Sequence, residues 1–121
     1  MIGLREPGIN ALIRMKPLAV LVRCPGTNNE RETAHAFALA GASVAEHSLE
    51  RLIADPTPLK EARILMFPGG FSYGDDLGAG RIAALHLRTR LADALRAHLD
   101  RHGLVMGHCN GFQILVQSGL L

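Results

Sequence analysis

The strongest signal along the chain is a series of short apolar runs separated by amphipathic segments. Apolar residues fill 18–22, 64–67 and 104–106, and turn residues bound each run. Runs of this length are typical of strands buried on both faces of a parallel sheet. We therefore predict strands at 18–22, 64–67 and 104–108, and a shorter strand at 43–46.

The segments between these runs have helical features. Thr27 and Glu30 have the spacing of a capping box, and Gly41 is a suitable end for the helix that follows. Further helical segments are predicted at 49–54, 76–84, 89–102 and after Cys109. In the third of these, Leu91, Leu95 and Leu99 form the stripe expected to be buried.

Strands and helices alternate along the whole chain, which predicts an α/β fold with a mainly parallel sheet and right-handed crossovers. We expect a flavodoxin-like, three-layer arrangement with about four strands. If the strand order in the sheet is 2-1-3-4, the first strand, which precedes Cys24, and the fourth strand, which precedes Cys109, have one strand between them. Their Cα atoms would then be about 10 Å apart, beyond the reach of a disulfide, so both thiols are predicted to be free.

Length, charge and composition limit the functional classes. The 121 residues can form one core, with 1–15 as an extension expected to be disordered and 16–121 as the domain. A net charge of +2, with acids and bases interspersed, does not support nucleic-acid binding. The chain has only two cysteines, no apolar run long enough to span a membrane and no signal-peptide pattern. These features predict a cytoplasmic protein.

The candidate chemistry is centred on Cys109, which lies where a predicted strand meets a predicted helix. Gly107 and Gly111 flank it at two residues on either side, which is the pattern of a nucleophile elbow with cysteine in place of serine. The start of the following helix favours a thiolate, the attacking form of cysteine. An inert core cysteine is the alternative, although it would not require two flanking glycines.

A second loop, Pro68-Gly69-Gly70, follows the strand at 64–67. The carboxyl ends of parallel strands meet at one edge of a sheet, so this loop is expected beside Cys109. In an elbow site, the oxyanion accepts hydrogen bonds from the N–H after the nucleophile, here Asn110, and from an N–H of the loop after the third strand. The alternative is that the loop is only a turn.

Three separated motifs resemble the glutaminase subunit of phosphoribosylformylglycinamidine synthase, a class I glutamine amidotransferase. They are Cys109-Asn110-Gly111-Phe112-Gln113, the segment 67–75 (FPGGFSYGD) and the segment 23–28 (RCPGTN). The resemblance covers about 16–121, which would be the N-terminal part of such a domain. It implies that the catalytic His and Glu of the family lie after Leu121.

The resemblance also implies roles for particular residues and partners. Cys109 would attack the side-chain amide of glutamine, Gly70 and Asn110 would form the oxyanion hole, and Gly69 and Gln113 would contact the substrate. Ammonia would pass to a synthetase subunit that uses ATP, and this chain would need no metal or cofactor. The loop with Tyr73, Asp75 and Asp76 would contact that subunit, or would simply be solvated.

Several alternatives remain open from the sequence. Gln113 is equally consistent with a surface residue, and Thr27 and Asn28 with helix capping. His108 stands where the family has an aliphatic residue, and strand alternation predicts that it points away from the thiol. His35, His98 and His102 fall on predicted helices and are expected to be surface or half-buried residues.

Two other functions are consistent with the pattern: a docking module that is catalytically incomplete, and a different cysteine hydrolase. An unpaired sheet edge would also favour self-association.

Overall fold

The computed structural model describes residues 15–75 and 80–121, so the predicted extension up to residue 14 and residues 76–79 lie outside the described residues. Four strands form one parallel sheet: β1 (Leu18–Arg23), β2 (Ser43–Ser48), β3 (Ile64–Phe67) and β4 (Leu104–Gly107). Their order is β2-β1-β3-β4, as predicted. This is the order with which a flavodoxin-like sheet begins.

Six helices lie between and after the strands in the described part of the chain. They are α1 (Glu30–Leu39), α2 (Leu49–Ala54), α3 (Pro58–Glu61), α4 (Arg81–Thr89), α5 (Ala92–Asp100) and α6 (Asn110–Ser118). A short helical turn, Ser72–Asp75, follows β3. The fold is therefore α/β, as the alternating pattern predicts.

The sheet has an apolar core on each face. Val20 and Phe67 belong to the larger core, which the side chains of α2 to α6 complete. Leu21 and Met66 point to the other face and pack with Phe37 of α1. Because β1 is inside the sheet and covered on both sides, residues 19–22 are at most 3% exposed. This burial on both faces explains why the sequence of β1 is a continuous apolar run and does not alternate between apolar and polar residues.

The buried stripe of α5 differs from the prediction. Leu91, at the N-cap of α5, and Leu95 are buried, but Leu99 is 44% exposed and His98 is fully buried in its place. The ring of His98 donates from Nε2 to the carbonyl oxygen of Leu104 at 3.0 Å. The prediction that His98 is a surface or half-buried residue is wrong, because this hydrogen bond compensates for burying a polar ring beside the start of β4.

Two helix starts also differ from the prediction. The residue before α1 is Asn29, and its side chain makes no capping hydrogen bond. The hydroxyl of Thr27 instead accepts from the N–H of Cys24 at 3.0 Å, so the predicted capping box is wrong. The helix predicted at 76–84 begins only at Arg81 and continues to Thr89.

The two cysteines have different environments, and both are free, as predicted. Cys109 is exposed, whereas Cys24 is 3% exposed at the end of β1. Burial raises the pKa of the Cys24 thiol from 9.0 to about 12. In the described part of the chain, no helix has the length and apolar character needed to cross a bilayer.

We predict that Cys24 makes the stability of the fold fall at alkaline pH. Its thiol ionises near pH 9.0 in the unfolded chain but near pH 12 in the folded one, so the folded chain holds the extra proton between these values. The stabilisation is complete below about pH 9 and decreases by about 1.4 kcal/mol per pH unit above it. Urea unfolding at about pH 8 and about pH 10.5 should show a larger decrease for the natural chain than for Cys24→Ala. Equal decreases would contradict the prediction.

We also predict self-association through β4, which is an edge strand among the described residues. The side chains of Leu104 and Met106 are 59% and 46% exposed, and they lie on the face that α1 covers elsewhere. Unpaired backbone groups beside an apolar surface favour association. Sedimentation at micromolar concentration should show dimers or larger species, and Met106→Lys should reduce them. Leu39→Lys, at a position of α1 that is 75% exposed, is the control. A compact monomer of the natural chain would contradict the prediction.

Candidate active site

The backbone at Cys109 has the geometry of a nucleophile elbow. β4 ends at Gly107, and His108 is the one residue between the strand and Cys109. The helix α6 begins at the residue after Cys109. Its φ and ψ are 55° and −120°, a conformation that side-chain-bearing residues rarely adopt. The thiol is exposed at the surface. A strained residue held by its surroundings, with an accessible nucleophilic atom, is typical of a functional site.

The flanking glycines are required by close contacts of the backbone. A Cβ atom on Gly111 would overlap the carbonyl oxygen of Phe67 at the end of β3. A Cβ atom on Gly107 would lie 2.6 Å from the carbonyl oxygen of Gly111 and 2.9 Å from a methyl of Leu115. The elbow can therefore form only if both positions lack a side chain. These close contacts are the steric reason for the two glycines that flank Cys109 in the sequence.

The loop after β3 lies beside the nucleophile, as predicted. A Cβ atom built on Gly69 would be 3.1 Å from Cβ of Cys109 and 3.0 Å from the side-chain nitrogen of Asn29. Gly69 itself is buried, and Gly70 next to it has φ of 140°. A glycine backbone at this position allows a substrate to approach the loop closely.

The backbone of Gly70 is paired with the loop after β1. Gly70 and Thr27 form an antiparallel bridge, made by hydrogen bonds from Asn28 N–H to Gly69 and from Phe71 N–H to Gly26. Because the bonds belong to the flanking residues, Gly70 is in a non-hydrogen-bonded pair. Its own N–H therefore points away from Thr27, as an oxyanion donor would require.

Asn110, the first residue of α6, connects the elbow to the same loop. Its side-chain oxygen accepts from the N–H of Ser72 at 2.9 Å, and its side-chain nitrogen donates to Oε1 of Gln113 at 3.1 Å. Asn110 is 2% exposed, whereas Gln113 is exposed. The side chain of Asn110 thus fixes the loop after β3, in addition to the role predicted for its backbone N–H.

His108 is closer to the site than the alternation of strand residues predicts. Its Cε1 atom lies 3.1 Å from the Cβ position of Gly69, the same distance as Cβ of Cys109. β4 ends at Gly107, so His108 already lies outside the strand, where alternation no longer applies. The expectation that its ring points away from the nucleophile is therefore not met, since both side chains lie against the same glycine.

The segment after the Gly69-Gly70 loop is only partly solvated. Tyr73 is partly buried and has φ of 54°, and its ring lies 5.9 Å from that of His86, centroid to centroid, with a tilt of 40° between the two planes. Burial, with smaller effects from Cys24 and Glu50, raises the pKa of the Tyr73 hydroxyl. Asp76 lies outside the described residues. Within the described ranges, no three His, Cys, Asp or Glu side chains are grouped as metal ligands would be.

Sequence reasoning missed three contributors to the site: the side chain of Asn110, Ser72 and Asn29. The amide oxygen of Asn29 and the hydroxyl of Ser72 are buried and have no hydrogen-bond partner among the described residues. Their positions depend on which loops meet in the fold, and no local pattern reveals that. The family motifs at 23–28 and 67–75 were the available signal, since the two segments contact each other in the structure.

Both the sequence and the fold are similar to those of known proteins. Residues 16–121 match the model of the CobB/CobQ-like glutamine amidotransferase domain. Phosphoribosylformylglycinamidine synthase subunit PurQ of Dehalococcoides mccartyi is 45% identical over 106 residues, which are 88% of this chain and 42% of that protein. The PurQ subunit of Methanococcus maripaludis (strain S2) is 40% identical over 109 residues, 90% of this chain and 40% of the relative.

A solved structure of PurLQS from Thermotoga maritima is also similar. It has a TM-score of 0.73 and 38% identity, and the match covers 88% of this chain and 46% of that one. The chain thus spans less than half the length of these relatives. The match to the family model over most of its length shows that the chain belongs to the CobB/CobQ-like glutamine amidotransferase domain family.

Proposed function

We propose that this chain is the nucleophile-bearing part of the glutaminase subunit of phosphoribosylformylglycinamidine synthase, an enzyme of purine biosynthesis. A relative that is 45% identical to this chain carries the name of that subunit. The observation that carries the proposal is the exposed thiol of Cys109, on a strained backbone between two glycines that close contacts require.

The chemistry proposed for the site is covalent catalysis on the side-chain amide of glutamine. The thiolate of Cys109 forms a bond to the amide carbon, and the carbonyl oxygen becomes an oxyanion. The N–H groups of Gly70 and Asn110 donate to this oxyanion. When the tetrahedral intermediate collapses, the C–N bond breaks, the nitrogen gains a proton and ammonia leaves. Water then cleaves the thioester to give glutamate, so the balance is glutamine plus water to glutamate plus ammonia.

The geometry supports these assignments in two ways. Gly69 lies against Cys109, so Gly70, the next residue of the loop, is also close to the nucleophile. Asn110 follows Cys109 and starts α6, so its N–H is at the positive end of a helix dipole. An oxyanion donor of this kind is typically worth about 10²–10³ in rate. Gly69 and Gln113 are proposed to contact the substrate.

The remaining parts of the proposal concern partners and location. Ammonia would be delivered to a synthetase subunit, which would use the ATP, while this chain would hold no metal or cofactor. Tyr73, Asp75 and Asp76, which follow the Gly69-Gly70 loop in the sequence, are the proposed contacts with that subunit, together with Phe71, which is 64% exposed beside that loop. The protein would act in the cytoplasm.

We predict that a glutamine-like chloroketone, in which a chloromethyl ketone replaces the amide, will alkylate Cys109. The sulfur displaces chloride after the ketone is bound in the oxyanion site. Peptide mass analysis should locate one adduct on Cys109, and excess glutamine should slow its formation. Cys24→Ala should be labelled like the natural chain, because Cys24 is 3% exposed and burial raises the pKa of its thiol to about 12.

The controls separate the other candidate functions. Cys109→Ala should abolish labelling. A chloroketone one methylene shorter should react more slowly; equal rates, with no protection by glutamine, would indicate a cysteine hydrolase with another substrate. Absence of labelling, with retained binding to the synthetase subunit, would indicate a docking module.

We further predict that the 121-residue chain will be labelled but will not release glutamate steadily. The resemblance assigns the proton-transferring His and Glu to sequence after Leu121, and such a base is typically worth about 10²–10⁴ in rate. A coupled glutamate assay at micromolar protein measures this. Steady release that Cys109→Ala abolishes would contradict the prediction. His108→Gln would then test the histidine whose ring lies beside Gly69.

A further inference from the structure

We infer that the loop after β1, residues 24–28, is a positioning element that holds the N–H of Gly70 in the oxyanion site. This inference rests on the proposed function and adds a role that the catalytic assignments do not include. The loop of residues 24–28 is called the first loop, and the loop of residues 68–71 the oxyanion loop. The first loop supplies no group to the reaction; it acts through the backbone of the oxyanion loop.

The two loops are joined by backbone hydrogen bonds on both sides of Gly70. Asn28 N–H donates to Gly69 at 3.2 Å, and Phe71 N–H donates to Gly26 at 2.9 Å. A third bond, from Tyr73 N–H to Pro25 at 2.6 Å, continues the contact beyond the oxyanion loop. Gly70 is thus fixed from the residue before it and the residue after it. The direction of its N–H follows from this pairing.

The loops are also in direct steric contact, and glycines make this possible. A Cβ atom on Gly70 would lie 2.5 Å from the carbonyl oxygen of Gly26 and 2.7 Å from the nitrogen of Asn28. A Cβ atom on Gly26 would overlap the carbonyl oxygen of Phe71. No side chain fits between the two backbones, so a displacement of the first loop is passed directly to the oxyanion loop.

The first loop is held rigid by its own bonds. Thr27 N–H donates to the carbonyl of Cys24 at 2.9 Å, and the Thr27 hydroxyl accepts from Cys24 N–H at 3.0 Å. Cys24 is 3% exposed in the larger core, so the start of the loop cannot move without disturbing that core. The position of Gly70 therefore depends on β1 as well as on β3.

The test compares two alkylation reactions of Cys109 in the full 121-residue chain. A glutamine-like chloroketone uses the oxyanion site, because its ketone oxygen accepts from the donors there while the sulfur displaces chloride. Iodoacetamide lacks the glutamine-like part that would hold its carbonyl against those donors, so it displaces iodide without first binding in the substrate site. The ratio of the two rate constants reports the oxyanion site separately from exposure of the thiol.

The variant is Gly26→Ala, with Gly41→Ala as its matched control. Both glycines have left-handed backbones, with φ of 95° and 99°, but a Cβ atom on Gly41 would meet nothing within 4 Å. The control therefore shares the conformational strain and lacks the contact with the oxyanion loop. For Gly26→Ala, a displacement of about 1 Å should lower the chloroketone rate roughly 10- to 100-fold. The iodoacetamide rate should be unchanged, and both rates should be unchanged in Gly41→Ala.

Reaction of the buried Cys24 with iodoacetamide would reveal that Gly26→Ala does not fold. In that case, a second pair of variants keeps the test decisive. Thr27→Val removes the acceptor for Cys24 N–H, and Thr27→Ser retains it. The chloroketone rate should fall in Thr27→Val and recover in Thr27→Ser, with iodoacetamide again unaffected.

The outcomes distinguish this inference from the proposed function. If the natural chain is alkylated by the chloroketone, and Gly26→Ala or Thr27→Val reacts like its control, the inference is overturned and the proposed function stands. If the chloroketone does not react with the natural chain, the proposed function fails and the inference fails with it. A selective fall in the chloroketone rate supports both.

Discussion

The contact on which the rest of the site depends is the approach of Gly111, in the first turn of α6, to the carbonyl oxygen of Phe67 at the end of β3. No side chain can be accommodated at that point. Gly107 meets Gly111 in the same way, so β3, β4 and α6 converge where the chain turns. The strained backbone of Cys109 is the consequence, because a relaxed conformation there would separate the helix from the strand.

This convergence explains why the loops around Cys109 come together. The four strands of the described residues are parallel, so the loops after β1, β3 and β4 leave the sheet at one edge. The loop after β4 carries the nucleophile, and the loop after β3 carries Gly70. The loop after β1 is hydrogen-bonded to the residues on either side of Gly70 through Gly26 and Asn28. Asn110 closes the arrangement, since its side chain accepts from Ser72 in the segment after β3.

The sequence predicted those features that local chemistry determines. The strand β3 at Ile64–Phe67 and the elbow at Cys109 were predicted, because buried parallel strands need apolar runs and a crowded turn needs glycines. The role of His98 was not predicted. Its burial depends on a carbonyl six residues away, on the first residue of β4, and local periodicity gives no sign of that partner. Thr27 was misassigned for the same reason, since its hydroxyl serves Cys24 rather than α1.

The central claim is that Cys109 attacks a carbon whose oxygen is held by the N–H groups of Gly70 and Asn110. A crystal structure of the chloroketone adduct on Cys109 tests it most directly. The ketone oxygen is expected to lie about 2.7–3.1 Å from both backbone nitrogens. A well-ordered adduct whose oxygen contacts neither nitrogen, and points to solvent or to the side chain of His108, would contradict it.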